Sequence, residues 1–243
     1  GTQKYSEGHA VREWFTYHFE GVDQMTGRSL YTLDPEMKAN AESAGALVTI
    51  NGKDYTTVTS YGKKDWCGKA TPSVYGAITS NLSWRDLSLG MTFTYSLGGK
   101  TYDGVYGGLM GAGGTPSNAH IDVLNSWNGV PAGMTETSAD RVKKDGIPEF
   151  NYSTNSDNNA GTTSRWLTSA DYLVMKNITL SYQLPKNWVK KLDLQNVGLS
   201  VSCENLFTWT ARQGMNPQQS FSGTQSNYLV TPRVFSFGVQ VKL

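Results

Sequence analysis

Three histidines, two cysteines and a scatter of carboxylates are the side chains that could do chemistry in this chain of 243 residues. His9 and His18 share a neighbourhood, His120 stands apart, and Cys67 and Cys203 make no Cys-x-x-Cys pair. A protein-built zinc centre needs three or four close-spaced donors, so no metal site is expected. Ser96–Thr101 ends in Gly-Lys-Thr, but the phosphate-binding motif needs glycine five residues before Gly99, where Thr94 stands. There is no Gly-x-Ser-x-Gly elbow and no His-Glu-x-x-His pair. Asp140, Asp145, Glu149 and Asp157 lie in polar segments with no rigid element to hold two carboxylates at glycosidase spacing. No catalytic residue, cofactor or enzymatic activity is expected.

What remains is a chemistry of binding. Long polar stretches carry Trp66, Tyr102 with the neighbouring Asp103, Trp127 and Trp166, together with Tyr55, Tyr61, Tyr106 and Tyr228. Flat aromatic faces suit the apolar faces of sugar rings, and a nearby carboxylate can accept from hydroxyls. These five lead residues are the candidate substrate contacts. The competing reading has them packing the loops together or meeting a partner protein.

The elements that must position them are strands. Phe235, Phe237, Val239, Val241 and Leu243 alternate with Ser236, Gly238, Gln240 and Lys242, the period of two that puts one set on each face of a strand. The pattern recurs at 74–84, 87–97, 172–184 and 197–209, and more weakly at 11–20, where Val11, Phe15, Tyr17 and Phe19 would share a face. With 232–243 this makes six expected strands. Arg85-Asp86 is a two-residue turn and 185–196 a short basic link, whereas 21–73, 98–171 and 210–231 are long. Short and long connections alternate.

Net charge is +1 and charged residues make up 17 %, so no basic field for nucleic acid exists. No apolar run approaches a transmembrane helix. The faces opposite the apolar rows hold Ser, Thr, Gly, Asn and Gln, with few charges. Strands of about ten residues, apolar on one side and small-polar on the other, with short turns at one end and long loops at the other, describe a transmembrane β-barrel. Trp84 and Tyr182 would fall at the periplasmic ends. Tyr17, Phe19, Tyr95, Phe207, Trp209 and Phe235 would fall at the outer ends. Both are places where interface girdles form. Six strands cannot close such a barrel, so the chain reads as part of a larger one. A soluble carbohydrate-binding β-sandwich is the alternative.

Several segments resemble the SusC/RagA family of TonB-dependent outer-membrane transporters. They are FEGVDQMTGRSLY (19–31), with the family's Gly-x-Asp-x-x-Thr-Gly-x-x-Leu-Tyr stretch, ATPSVYGAITSNLSWRDLSLGMTFTYSLGGKTYD (70–103), SADYLVMKNITLSYQLPKNWVKKLDLQNVGLSVSCENLFTWT (169–210) and the terminal TPRVFSFGVQVKL. Val174 and Met175 depart from the family, and 51–70 lacks its common acidic stretch. The resemblance implies an all-β fold, this chain being the last six or so antiparallel strands of a barrel of about 22 with a plug in its lumen. The TonB contact would lie in a preceding N-terminal part. It further implies an outer-membrane location, a SusD-like lipoprotein lid, pairing of such complexes into a dimer, and import of oligosaccharides or, in some members, peptides.

Overall fold

The computed structural model describes residues 2–111, 118–211, 214–216, 218, 222–224 and 231–243. In chain order they form β1 (Glu13–Tyr17), β2 (Phe19–Asp23), β3 (Ser29–Thr32), α1 (Lys38–Ser43), β4 (Leu47–Ile50), β5 (Lys53–Thr56), β6 (Lys64–Lys69), β7 (Val74–Trp84) and β8 (Leu87–Leu97). There follow β9 (Lys100–Tyr102), α2 (Gly104–Leu109), β10 (Val142–Lys143), α3 (Asn155–Asn158), β11 (Leu167–Ser169), β12 (Tyr172–Gln183), α4 (Lys186–Val189), β13 (Asn196–Thr210) and β14 (Val234–Lys242). The chain divides into two compact units. The loop unit comprises Gly1–Ala70, Thr101–Thr168 and Thr224–Ser226, and the wall unit comprises Thr71–Lys100, Ser169–Gly223 and Asn227–Leu243.

The wall unit is one antiparallel sheet in the order β14-β13-β12-β8-β7. β7 and β8 have eleven residues each, which at about 3.3 Å per residue and a tilt of roughly 45° span about 25 Å. Their register is unbroken from Val74 opposite Leu97 to Trp84 opposite Leu87, where Arg85 turns the chain at φ 54. β12 is irregular between Met175 and Asn177 against both neighbours, and Asn205 in β13 sits at φ 52. This bulge moves the apolar positions of β12 from Leu173 and Met175 to Ile178, Leu180 and Tyr182 without changing their face. Among the described residues β7 and β14 each have a strand neighbour on one side only.

In the loop unit a five-stranded sheet runs β10-β2-β3-β5-β4, beside a two-stranded sheet of β1 and β6. Leu30, Ile50 and Tyr55 form one core with Val48 and Val142; Trp14, Cys67 and Ala70 form another with Tyr102 and Leu167.

Three expectations change. Residues 11–20 are not a wall strand, so among the described residues the wall has five strands and not six. The segment breaks at His18, whose carbonyl accepts from Thr32 while its own N–H donates to Lys63. Its buried face is Trp14 and Thr16, both fully enclosed, and not Phe15 and Tyr17. Tyr17 and Phe19 therefore leave the expected girdle: the Lys64 ammonium lies 4.8 Å from the Tyr17 ring, and the Arg165 guanidinium 5.5 Å from Phe19. Second, 21–73 and 98–171 are not plain loops, since strands too short to alternate visibly run through them. Third, the link 185–196 coils into α4 and a short 3-10 turn. Most of 210–231, with Tyr228, lies outside the described residues.

Candidate functional site

The wall sheet has two chemically opposed faces. Across its five strands the apolar side chains line up in rows: Leu82, Leu89, Leu180, Val201 and Phe237, then Trp84, Leu87, Tyr182, Leu199 and Val239. Phe237 is 80 % and Val239 69 % exposed. A continuous apolar face of this width is unsuited to water. Of the expected girdle residues, Trp84 and Tyr182 share one row near the two-residue turn. Tyr95, Leu173 and Trp209 share another at the opposite end. Tyr95 lies over Gly76, whose missing Cβ would meet the phenol at 3.0 Å. Phe235 stands opposite Cys203, near the start of β14. Cys203 and Cys67 are both free thiols.

The other face is hydroxyl and amide. Asn81, Ser88, Gly90, Thr92, Asn177, Thr179 and Ser181 line a shallow cavity of about 310 Å³. The Thr179 hydroxyl donates to the Asn177 side-chain amide oxygen at 2.9 Å. Gly90 leaves room there, because a Cβ would reach within 3.2 Å of the Asn81 side chain. The surface can donate to and accept from a neutral polar ligand, and it carries no nucleophile poised beside a base.

The five candidate substrate contacts all fall in the loop unit, mostly engaged with the protein itself. Trp166 is buried; its indole N–H donates to the Ala160 carbonyl at 2.8 Å and Arg165 stacks 4.5 Å from its ring. Asp103 is buried and caps α2, accepting from the Tyr106 N–H at 3.0 Å. Tyr102 packs on Trp14 and donates to the Gly161 carbonyl. Trp127 donates to the Gln24 carbonyl at 2.9 Å and lies against Gly27. Trp66 is half-buried, with His9 stacked on it at 3.5 Å and Phe15 tilted at 5.0 Å. The structure does not bring the five onto one open surface.

A buried polar framework in the same unit is less legible from residue types. Arg141 grips Asp23 with two parallel bonds of 2.8 and 3.1 Å. The Met25 N–H and the Thr26 hydroxyl also donate to that carboxylate. Burial alone would raise the Asp23 pKa, but Arg141 and the two local donors outweigh it and hold it below the usual range. The Gly-x-Asp-x-x-Thr-Gly stretch is thus a turn clamp: Gly21 passes where a Cβ would strike the Lys143 carbonyl at 2.8 Å, and Gly27 adopts φ +70 under Trp127. Asn158, fully buried, accepts from Ser29 N–H and Arg28 and donates to Thr154. Burial pushes the Tyr31 hydroxyl up to about 12 and the Arg165 guanidinium down to about 10.

A cleft of about 220 Å³ is lined by His18, Glu20, Thr32, Lys63 and Asp65. Burial opposes ionisation of Glu20, yet Thr32 at 2.7 Å and Lys53 at 3.0 Å lower its pKa. Glu20 is therefore ionised at neutral pH and has no proton to give.

Compared with known proteins, the sequence matches no family model. It is 25 % identical over 220 residues to a TonB-dependent receptor of Formosa agariphila, covering 90 % of this chain and 20 % of that protein. A second receptor of the same organism is 24 % identical over 155 residues, covering 62 % of this chain and 14 % of the other. The fold is similar to the solved RagAB peptide transporter, with a TM-score of 0.68, 20 % identity and coverage of 95 % of this chain and 23 % of that one. It is also similar to the RagAB peptide importer in an open state, at a TM-score of 0.70 and 18 % identity, covering 99 % of this chain and 25 % of that one. The resemblance to the SusC/RagA type of TonB-dependent receptor stands. The chain spans 20 % of one curated receptor it matches and 14 % of the other. It has the antiparallel β architecture of a barrel wall, though five strands leave it unclosed. Its place is the bacterial outer membrane.

Proposed function

We propose that this chain supplies wall and extracellular loops to a TonB-dependent transporter that imports oligosaccharides beneath a SusD-like lipoprotein lid. The observation that carries the reading is the wall sheet: membrane-length strands with one exposed apolar face and one hydrogen-bonding face of mostly hydroxyls and amides. The apolar face meets lipid and the Ser/Thr/Asn face lines the lumen, with the short turns at the periplasm. Energy would come through TonB, acting on a plug outside this chain, and complexes would pair as dimers. The sparsely charged lumen face, with Glu204 opposite Asn177 and Lys242 near the end of β14, suits hydroxyl-rich cargo, and no catalytic step is assigned.

A second reading, peptide import, is favoured by the likeness to RagAB, a peptide transporter by name. The enclosure of Trp166 and Asp103 also weakens the case for sugar stacking in the loops. Deleting the gene in its host and growing the strain on defined glycans and on defined peptides decides between them. Loss of growth on a glycan alone supports the first reading, and loss on peptides alone replaces it with the second. Normal growth on every substrate refutes both.

A further inference from the structure

At the short-turn end of the wall sheet the apolar face stops and a cationic rim begins. The turn at Arg85 and the link carrying α4 adjoin, since the Gln183 N–H donates to the Asp86 carbonyl at 2.8 Å. Between them lies a cavity of about 550 Å³, lined by Asp86, Gln183, Pro185, Lys186, Asn187 and Gln195 among others. Arg85, Lys186, Lys190 and Lys191 are all exposed around this end. Among the described residues none of the four is in an ion pair, and only Asp86 and Asp193 oppose them locally. Two tryptophans flank the rim. Trp84, 68 % exposed, has the Arg85 guanidinium 4.9 Å from its ring. Trp188, 62 % exposed, is presented by α4, which is pinned by the buried Val189.

We infer that this rim is a binding site for the phosphate-bearing headgroup of an anionic phospholipid in the leaflet facing the short turns. Exposed indoles settle at the level of the headgroups. Unpaired cations immediately beyond an apolar face attract anionic lipid at about five-fold in affinity for each charge. The cavity accepts a headgroup: Lys186 reaches the phosphate, and the Asn187 and Gln195 amides can bond its polar end. The site rests on the proposed orientation, with short turns toward the periplasm.

The test uses the full-length transporter, first shown to require detergent for extraction and to assemble as a folded barrel. A protein extracted without detergent would sink the barrel reading itself, which separates that failure from failure of the lipid site. The transporter is then placed in nanodiscs of phosphatidylethanolamine with a minority of phosphatidylglycerol, and retained lipid is counted by native mass spectrometry. Wild type should retain phosphatidylglycerol out of proportion to its share. Arg85→Gln with Lys186→Gln, Lys190→Gln and Lys191→Gln should lose that enrichment by tenfold or more, while barrel assembly is unchanged. Because these four residues are exposed, a folded variant is expected; Lys186→Gln alone, with a smaller loss, is the second variant. Equal retention in wild type and variant overturns the inference. So does displacement by inorganic phosphate alone, or a periplasmic protein held by the same cations in place of lipid.

Discussion

An arginine placed along the apolar side of β12 should cost more as it moves from Tyr182 toward Ile178. Tyr182, Leu180 and Ile178 share one face, opposite Leu87, Leu89 and Met91. Two residues advance about 6.7 Å along a strand, or about 5 Å along the membrane normal at roughly 45° of tilt. With Tyr182 at the interface of an apolar band about 25 Å tall, Leu180 lies about 5 Å deep and Ile178 about 10 Å, near the midplane. Arg at Ile178 should then cost about 2–4 kcal/mol, at Tyr182 about 0–1, and at Leu180 an intermediate amount. Thr179→Arg and Ser181→Arg, on the hydroxyl face, should fall near zero. The assay is reversible unfolding of the full-length transporter in lipid vesicles, one substitution at a time. A flat profile along β12, or a cost at Thr179 equal to that at Ile178, would refute the assignment of faces.

Arg141→Met leaves the enclosed Asp23 carboxylate without its partner and should cost about 3–5 kcal/mol, read as a drop in the unfolding midpoint of the loop unit. Because Asp23 is held below its unfolded pKa of about 3.9, its stabilisation is complete above that pH and is lost as pH falls through the folded-state value. Amide exchange at Met25 and Gly27 should accelerate in that acid window, and Asp23→Asn should abolish the dependence. Gly27→Ala should destabilise twice over, by its φ of +70 and by a Cβ 2.3 Å from the Trp127 ring. Adding Trp127→Ala should relieve the collision and not the backbone strain, a non-additivity that a double-mutant cycle measures. Trp166→Ala should cost about 3–5 kcal/mol as a core truncation. Cargo affinity falling while loop stability is untouched would contradict its burial.

Period-two alternation made the wall readable almost to the residue: Val74–Trp84 and Leu87–Leu97 match their expected bounds, and β12, β13 and β14 differ by one or two residues at their ends. Alternation works there because each face meets a single solvent. It failed at 11–20, where the environment changes at His18 and the burial of Trp14 and Thr16 outweighs the weaker Phe15, Tyr17 series. In the loop unit strands of two to six residues are too short to show a period. The partners that matter are also far apart in sequence: Asp23 finds Arg141 118 residues away. Chemical type alone could nominate Trp166 and Trp127 as ligand contacts, but it could not show that carbonyls at Ala160 and Gln24 had already taken their indole N–H groups.

The wall sheet ends on both sides in a strand with one neighbour. Inside hydrocarbon every backbone amide left without a partner costs several kcal/mol, so a margin along β7 or β14 cannot be left bare. These five strands therefore behave as a tile and not as a structure complete in itself. Each margin is a half-made joint whose missing half must arrive before or during insertion. Order of assembly follows from that: the sheet becomes a resident of the bilayer no earlier than the step that pairs both of its margins.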